Sequence, residues 1–320
     1  LLLTSMTEKH NTIINRLLNF FSRQPIPIAR FIARSLAGLV NLLHITKTSE
    51  TIRLNIEICL PNLDKQQRES ITRHAISNEI QSYMEFFTIW GSSNQKNIAR
   101  IHNIQGEDYL HKAIAQGKGL ILIAPHFGTW EIMNAWLAQY TQMTIMYKPI
   151  KNEDADQFVR AARSRENAHL VPTDESGVRQ IFKALKQGGT TVILPDHTPH
   201  HGGELIEYFG VPLFSSNLSA KLIQKTKAQA LFLHAKRNDE HGFDIIIEPI
   251  DRNIYQVNAN QGTQIIYIAL ETLIHQYPEH YHWSYKRFKA NPQLKQIYNI
   301  PHNDAIALVN SVRDSSTTEI

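Results

Sequence analysis

The sequence predicts an α/β fold in which a largely parallel sheet is flanked by helices, preceded by amphipathic, membrane-associated N-terminal helices. Three observations predict it. Short β-branched or apolar runs bounded by Gly, Pro or polar residues recur from residue 119 onward. Helical patterns fill most of the gaps between those runs, and alternating strands and helices favour a parallel sheet. The first 53 residues follow a different rule of charge and period, with seven Lys or Arg against two Glu.

In that first segment, "IPIARFIARSLAGLVNLLHI" (26 to 45) is almost continuously apolar. Arg16, Asn19, Arg23, Arg30, Arg34 and Asn41 recur at helical separations, so a polar stripe runs along an apolar surface despite the break at Pro25 and Pro27. Spanning a bilayer takes about 20 apolar residues, and each arginine near its centre costs roughly 2.5 to 3.5 kcal/mol. The expectation is therefore a helix lying at the interface with Arg30 and Arg34 among headgroups. The bland alternative is a helix packed on the domain with its arginines in water.

Residues 50 to 90 read as two helices, the first broken by Pro61 and the second opened by Asp64 as N-cap. The expected strands are 119–125, 143–147, 169–171, 190–195, 229–235 and 243–249. Helical patterns cover 131–140, 153–168, 176–187, 216–227 and 260–277. No repeat or charge block marks a further boundary, so residues 1–53 form the membrane-associated segment and 54–320 one α/β domain.

At 320 residues with 42% hydrophobic and 19% charged content, the chain can bury a sizeable core and is lightly charged for a freely soluble enzyme. The net charge of +4 suits an acidic partner without choosing one. Nucleic acid is not expected, because the basic residues are spread out and not interleaved with aromatics. The single cysteine, Cys59, excludes an intrachain disulfide and a cysteine-rich zinc site.

Reactive groups in a parallel sheet gather beyond the carboxyl ends of the strands. "LILIAPHFGTWEIM" (120 to 133) ends a strand with His126 and places Glu131 five residues on, within reach of the imidazole if the turn folds back. Gly128 gives that turn room for a substrate or for backbone. "LPDHTP" (194 to 199) ends another strand with Asp196 and His197. Because His200 and His201 follow, a metal site is a rival reading, although the spacings match no common zinc pattern. "FVRAARSRE" (158 to 166) puts Arg160, Arg163 and Arg165 on one helical face and its end, where they could clamp a phosphate or carboxylate. A strand-end histidine and a basic helix are also common as plain structure. No G-x-S-x-G elbow, phosphate-binding G-x-x-x-x-G-K-[ST] or G-x-G-x-x-G follows the first strand.

Taken in order, "NIEICLPNL", "APHFGTWE", "YKP", "RSR", "LKQGGTTVILPDHTP", "FGVPLFSS" and "PEHYHWSYKRFKANP" resemble the bacterial lipid A late acyltransferases, the lauroyl and myristoyl transferases. The resemblance covers roughly residues 50 to 292 and implies a glycerol-phosphate-acyltransferase-like fold. It implies a membrane-bound enzyme at the cytoplasmic face of the inner membrane. Such an enzyme moves an acyl chain from acyl carrier protein to the hydroxyl of an acyl chain on a Kdo-bearing lipid A precursor, without cofactor or metal. Position by position, His126 matches the family's histidine, Glu131 its acidic partner, and Arg163 and Asp196 the rest of its essential set. Lys148 stands in "YKP" where arginine is frequent, and with Arg160 and Arg165 is a candidate substrate contact. Mannoside acyltransferases share much of the pattern, which leaves the acceptor glycolipid open. A metal-dependent hydrolase and a non-enzymatic membrane-surface protein are the remaining alternatives.

Overall fold

The computed structural model describes residues 16, 18–43, 46–199, 203–238 and 242–317. Helix α1 (Ile26–Leu43) begins between the two prolines, as the sequence break implies. Thr46 caps α2 (Lys47–Cys59), and Asp64 forms a full capping box with Gln67 at the start of α3 (Lys65–Gly91). After the short α4 (Asn94–Ile98) come β1 (Ile101–Gln105) and α5 (Glu107–Ala115).

Each run read as a strand forms one: β2 (Leu120–Ile123), β3 (Thr144–Met146), β4 (His169–Val171), β5 (Thr190–Ile193), β8 (Gln229–Asn238) and β9 (Gly242–Pro249). The helices between and after them are α6 (Ile132–Leu137), α7 (Glu153–Arg165), α8 (Glu175–Lys186), α9 (Leu218–Thr226) and α10 (Ala259–Gln276). Several elements were not expected, α4 and α5 among them. β1 is a polar edge strand, β6 (Glu204–Tyr208) and β7 (Val211–Ser215) form an antiparallel hairpin, and α11 (His302–Thr317) closes the chain.

The central sheet runs β1-β9-β8-β2-β5, and all its pairings are parallel except β8 with β9. A separate parallel pair, β3 and β4, meets β5 through one bridge between Met143 and Thr190. All four residues of β2 are buried. Their alternation divides the core, with Ile121 and Ile123 in one apolar cluster and Leu120 and Leu122 in the other. The sheet therefore has a packed layer on each face, and polar groups are free to gather only beyond its edges.

For Arg30, helix α1 corrects both sequence expectations. Its inward face is Ile26, Ala29, Arg30, Ala33 and Ala37, small enough to let it lie close on α3. Arg30 is only 6% exposed and pairs with Glu85, so it reaches neither headgroups nor water. Arg34 is exposed and donates to Gln81. The large apolar side chains point out instead: Phe31 is 71% exposed and Leu42 78%, with Ile28, Leu36 and Leu39 beside them. Among the described residues no single helix is long and apolar enough to cross a membrane; Ile26–Leu42 and Lys47–Cys59 qualify only together and are bent by 82°.

Candidate active site

β2 and β5 are parallel neighbours in which Ile123 sits opposite Ile193. Two residues past each strand stands a proline, Pro125 and Pro195, and three residues beyond the paired isoleucines stand His126 and Asp196. Register alone brings them together. The His126 amide donates to Asp196 Oδ2 at 3.0 Å, and its Nδ1 lies 2.8 Å from Oδ1. Burial opposes ionisation of Asp196, but the imidazole charge and the hydrogen bonds from His126 hold its carboxyl well below the usual carboxylate range. A carboxylate at Nδ1 makes that nitrogen the donor and leaves Nε2 with the lone pair. The His126 side chain is 18% exposed while Asp196 is 1%, so the basic nitrogen is on the accessible side of the pair.

The turn carrying His126 is fastened to its surroundings. Gly128 has φ +53°, and a Cβ there would sit 2.2 Å from the Ala235 carbonyl oxygen. The room it provides is taken by the backbone of β8. Segment 278–291 lies across the other side: Gly128 N–H donates to His280 O, His282 N–H donates to His126 O, and Phe127 bridges Tyr281.

Glu131 does not fold back to the imidazole. Its Oε1 accepts from Arg163 Nη2 at 2.7 Å, and its Oε2 accepts from Trp90 Nε1 at 2.8 Å and Asn134 Nδ2 at 3.3 Å. The reason is steric and electrostatic: Asp196 already fills the Nδ1 side of His126, and α7 presents a guanidinium to the base of the His126 turn. Arg163 also donates to Glu166 at 3.2 Å. Burial pushes the Glu166 carboxyl up to about 7, against the pull of Arg163. The three arginines of α7 do not form one clamp. Arg163 points inward, Arg160 pairs with Asp156 at 2.6 Å and covers the Tyr147 ring, and Arg165 donates to the Trp90 carbonyl. Lys148 is exposed.

A family model described as bacterial lipid A biosynthesis acyltransferase matches residues 8–290. The chain belongs to that family. It is 22% identical over 259 residues to the lipid A biosynthesis lauroyltransferase of Escherichia coli K12, covering 80% of this chain and 84% of that one. A lipid A biosynthesis acyltransferase of Haemophilus influenzae is 24% identical over 277 residues, 85% and 87% of the two chains. A phosphatidylinositol mannoside acyltransferase of Mycobacterium tuberculosis is 27% identical over 148 residues, 44% and 46% of the two.

Around His126 this acyltransferase gathers further groups from distant segments, among them the strand-end His197. His197 stacks flat on His126, with centroids 3.7 Å apart at 4°, and on its other face meets Tyr285 at 3.9 Å. Although its edge is exposed, desolvation of the stacked faces and the charge of His126 push His197 down to about 4. The Thr198 N–H donates to Tyr285 Oη, which ties the stack together. Buried Arg287 joins that loop to the β6–β7 hairpin and to Tyr267. Glu79 accepts from Ser284 and is pushed up to about 6 by burial. The sequence signals for these residues are "LPDHTP" for His197 and Thr198 and the block 278–292 for Ser284, Tyr285 and Arg287; Glu79 and Tyr267 have none. Among the described residues no group of three or more His, Cys, Asp or Glu could hold a metal ion. His200 and His201 lie outside the described residues, and Asp196 gives both oxygens to His126.

Proposed function

We propose that this acyltransferase transfers a fatty acyl chain from an acyl carrier protein thioester to the hydroxyl of an acyl chain on a Kdo-bearing lipid A precursor, at the cytoplasmic face of the inner membrane. The observation that carries the mechanism is the Asp196–His126 pair with its accessible Nε2. His126 Nε2 takes the hydroxyl proton as the acceptor oxygen bonds to the thioester carbon. The C–S bond then breaks, and the proton passes from the imidazolium to the leaving thiolate. Asp196 fixes the tautomer and stabilises the imidazolium, and general-base assistance of this kind supplies ~10²- to 10⁴-fold of rate. Glu131 acts one step back: paired with Arg163, it anchors the start of α6 and so the His126 turn. Arg160, Arg165 and Lys148 are exposed positive groups and are the proposed contacts for acidic parts of donor or acceptor.

The outer face of α1, carrying Ile28, Phe31, Leu36, Leu39 and Leu42, is the proposed contact with lipid. The Arg30 contact with the Asn238 carbonyl, at the end of β8, puts α1 beyond the same sheet edge as His126, because β8 and β2 are parallel. A lipid acceptor could then reach His126 without leaving the bilayer surface. In this reading residues 1–53 are the membrane-facing part of a glycerol-phosphate-acyltransferase-like body formed by 54–320, although α2 runs unbroken through that boundary. The partial match to a mannoside acyltransferase favours a second acceptor, another membrane glycolipid, over a shorter stretch. Mass spectrometry of lipid A from cells with and without the gene tests the reading: one secondary acyl chain should be missing, and unchanged lipid A overturns it.

A further inference from the structure

Among the described residues, the buried ion cluster behind the His126 turn contains one more cation than its anion needs. Glu85 is fully buried, and Arg237, equally buried, donates to Oε1 through Nε and to Oε2 through Nη2, both at 2.9 Å. That pair is complete and neutral. Arg30 of α1 adds a second cation, with Nε 2.6 Å from Glu85 Oε1 and its two other nitrogens donating to the carbonyls of Asn238 and Gly242 at 3.0 Å. Burying an extra charge costs several kcal/mol before its partners repay it. The rest of this face of α1 is Ile and Ala, and an apolar residue would pack there without that cost. Arg30 therefore needs a reason beyond neutralising Glu85.

The other side of the carboxylate supplies one. Glu85 Oε2 accepts from the hydroxyl of Thr129, which is fully buried and directly follows Gly128 in the His126 turn. The Gly128 carbonyl meets His282 Nε2 at 3.0 Å, and the His282 N–H holds the His126 carbonyl at 3.1 Å. A continuous set of buried hydrogen bonds thus runs from α1 to the backbone of His126. We propose that Arg30 is a positioning residue that ties the seating of the lipid-facing helix to the geometry of the His126 turn through Glu85 and Thr129, so that contact with a bilayer is felt at the imidazole. The inference rests on the lipid-facing reading of α1 given above.

The test uses the full chain and vesicles of phosphatidylethanolamine and phosphatidylglycerol. Vesicle binding is followed by sedimentation, and the rate at which diethyl pyrocarbonate modifies His126 is followed by peptide mass spectrometry. In the unaltered chain, vesicles should change the His126 rate by about fivefold, the lower end of ordinary coupling between sites. Arg30→Met should bind vesicles as well as before, because the outer face is intact, yet show no change in His126 rate on adding them. Thr129→Val, at the opposite end of the chain of contacts, should behave the same way and stands in if Arg30→Met does not fold. Simple shielding by the bilayer would persist in both variants, so variants that follow the unaltered chain overturn the proposal. Vesicle binding without any change at His126 in the unaltered chain overturns it while leaving the lipid contact standing. No vesicle binding at all removes the lipid-facing reading and this inference with it.

Discussion

Two carboxylates flank the His126 turn, and they take different partners. Glu131 is five residues from His126 in sequence, yet its oxygens go to Arg163, Trp90 and Asn134. Asp196 is 70 residues away and receives both the amide and Nδ1 of His126. The difference lies in how each is placed. Glu131 sits at the start of α6, where the chain turns away from the strand end, while Asp196 is delivered by the pairing of β2 with β5. Parallel pairing in register brings the carboxyl ends of adjacent strands side by side, so a partner for a strand-end histidine is better sought at the end of the adjacent strand.

The sharpest way to break this comparison is to neutralise each acid in turn. His126→Ala should lower kcat by ~10²- to 10⁴-fold, and Asp196→Asn should approach that loss, because an amide can leave the imidazole in the wrong tautomer. The double variant should be no worse than His126→Ala, since the two act as a unit. Steady-state acyl transfer by folded variants measures this. If Asp196→Asn kept near-normal kcat, the pair would be structural and another group would have to hold Nδ1.

The same contrast explains what was legible beforehand. The strands announced themselves through runs such as Leu120–Ile123 and Thr190–Ile193, because residues buried on both faces must be apolar throughout. β1 did not, since an edge strand reading Ile-His-Asn-Ile-Gln has no buried face to enforce a pattern. His126 and Asp196 were both visible as strand-end ionisable groups, but which acid meets the imidazole depends on strand order, which periodicity does not encode. The stack of His126, His197 and Tyr285 joins three distant segments and has no local signature. Arg30 reads in sequence as part of a polar stripe; that it alone of the stripe turns inward depends on Glu85, one of three acids on α3.

Glu131→Gln should act mainly on stability. It leaves Arg163 with Glu166 alone and removes the charged acceptor for Trp90 Nε1. Breaking a buried ion pair from one side costs about 3–5 kcal/mol, and the value here should lie toward the low end because Glu166 remains. Urea denaturation measures the loss, and kcat per folded molecule should fall less than in Asp196→Asn. A variant with normal stability but the kcat of Asp196→Asn would return Glu131 to the chemistry.

The pH dependence of the Glu131 cluster gives a smaller and more specific effect. Glu166 has its carboxyl pushed from an ordinary 4.5 up to about 7 by burial. Between those two values the folded chain holds a proton there that the unfolded chain has released. The folded state binds more protons, so this group's contribution to stability is fully present below about pH 4.5 and is lost as pH rises through 7. Asp196 works in the opposite sense: its lowered pKa gives stability that is present above the ordinary carboxylate range and is lost on acidification. Glu166→Gln removes only the first of these. Measured by urea unfolding, its stability relative to the unaltered chain should therefore climb between pH 4.5 and 7, by an amount on the order of 2–3 kcal/mol, while titrating groups that do not interact with Glu166 cancel in the difference. A flat difference would mean that Glu166 is ionised beside Arg163 across the whole range, and that one guanidinium serves two charged carboxylates at the base of the His126 turn.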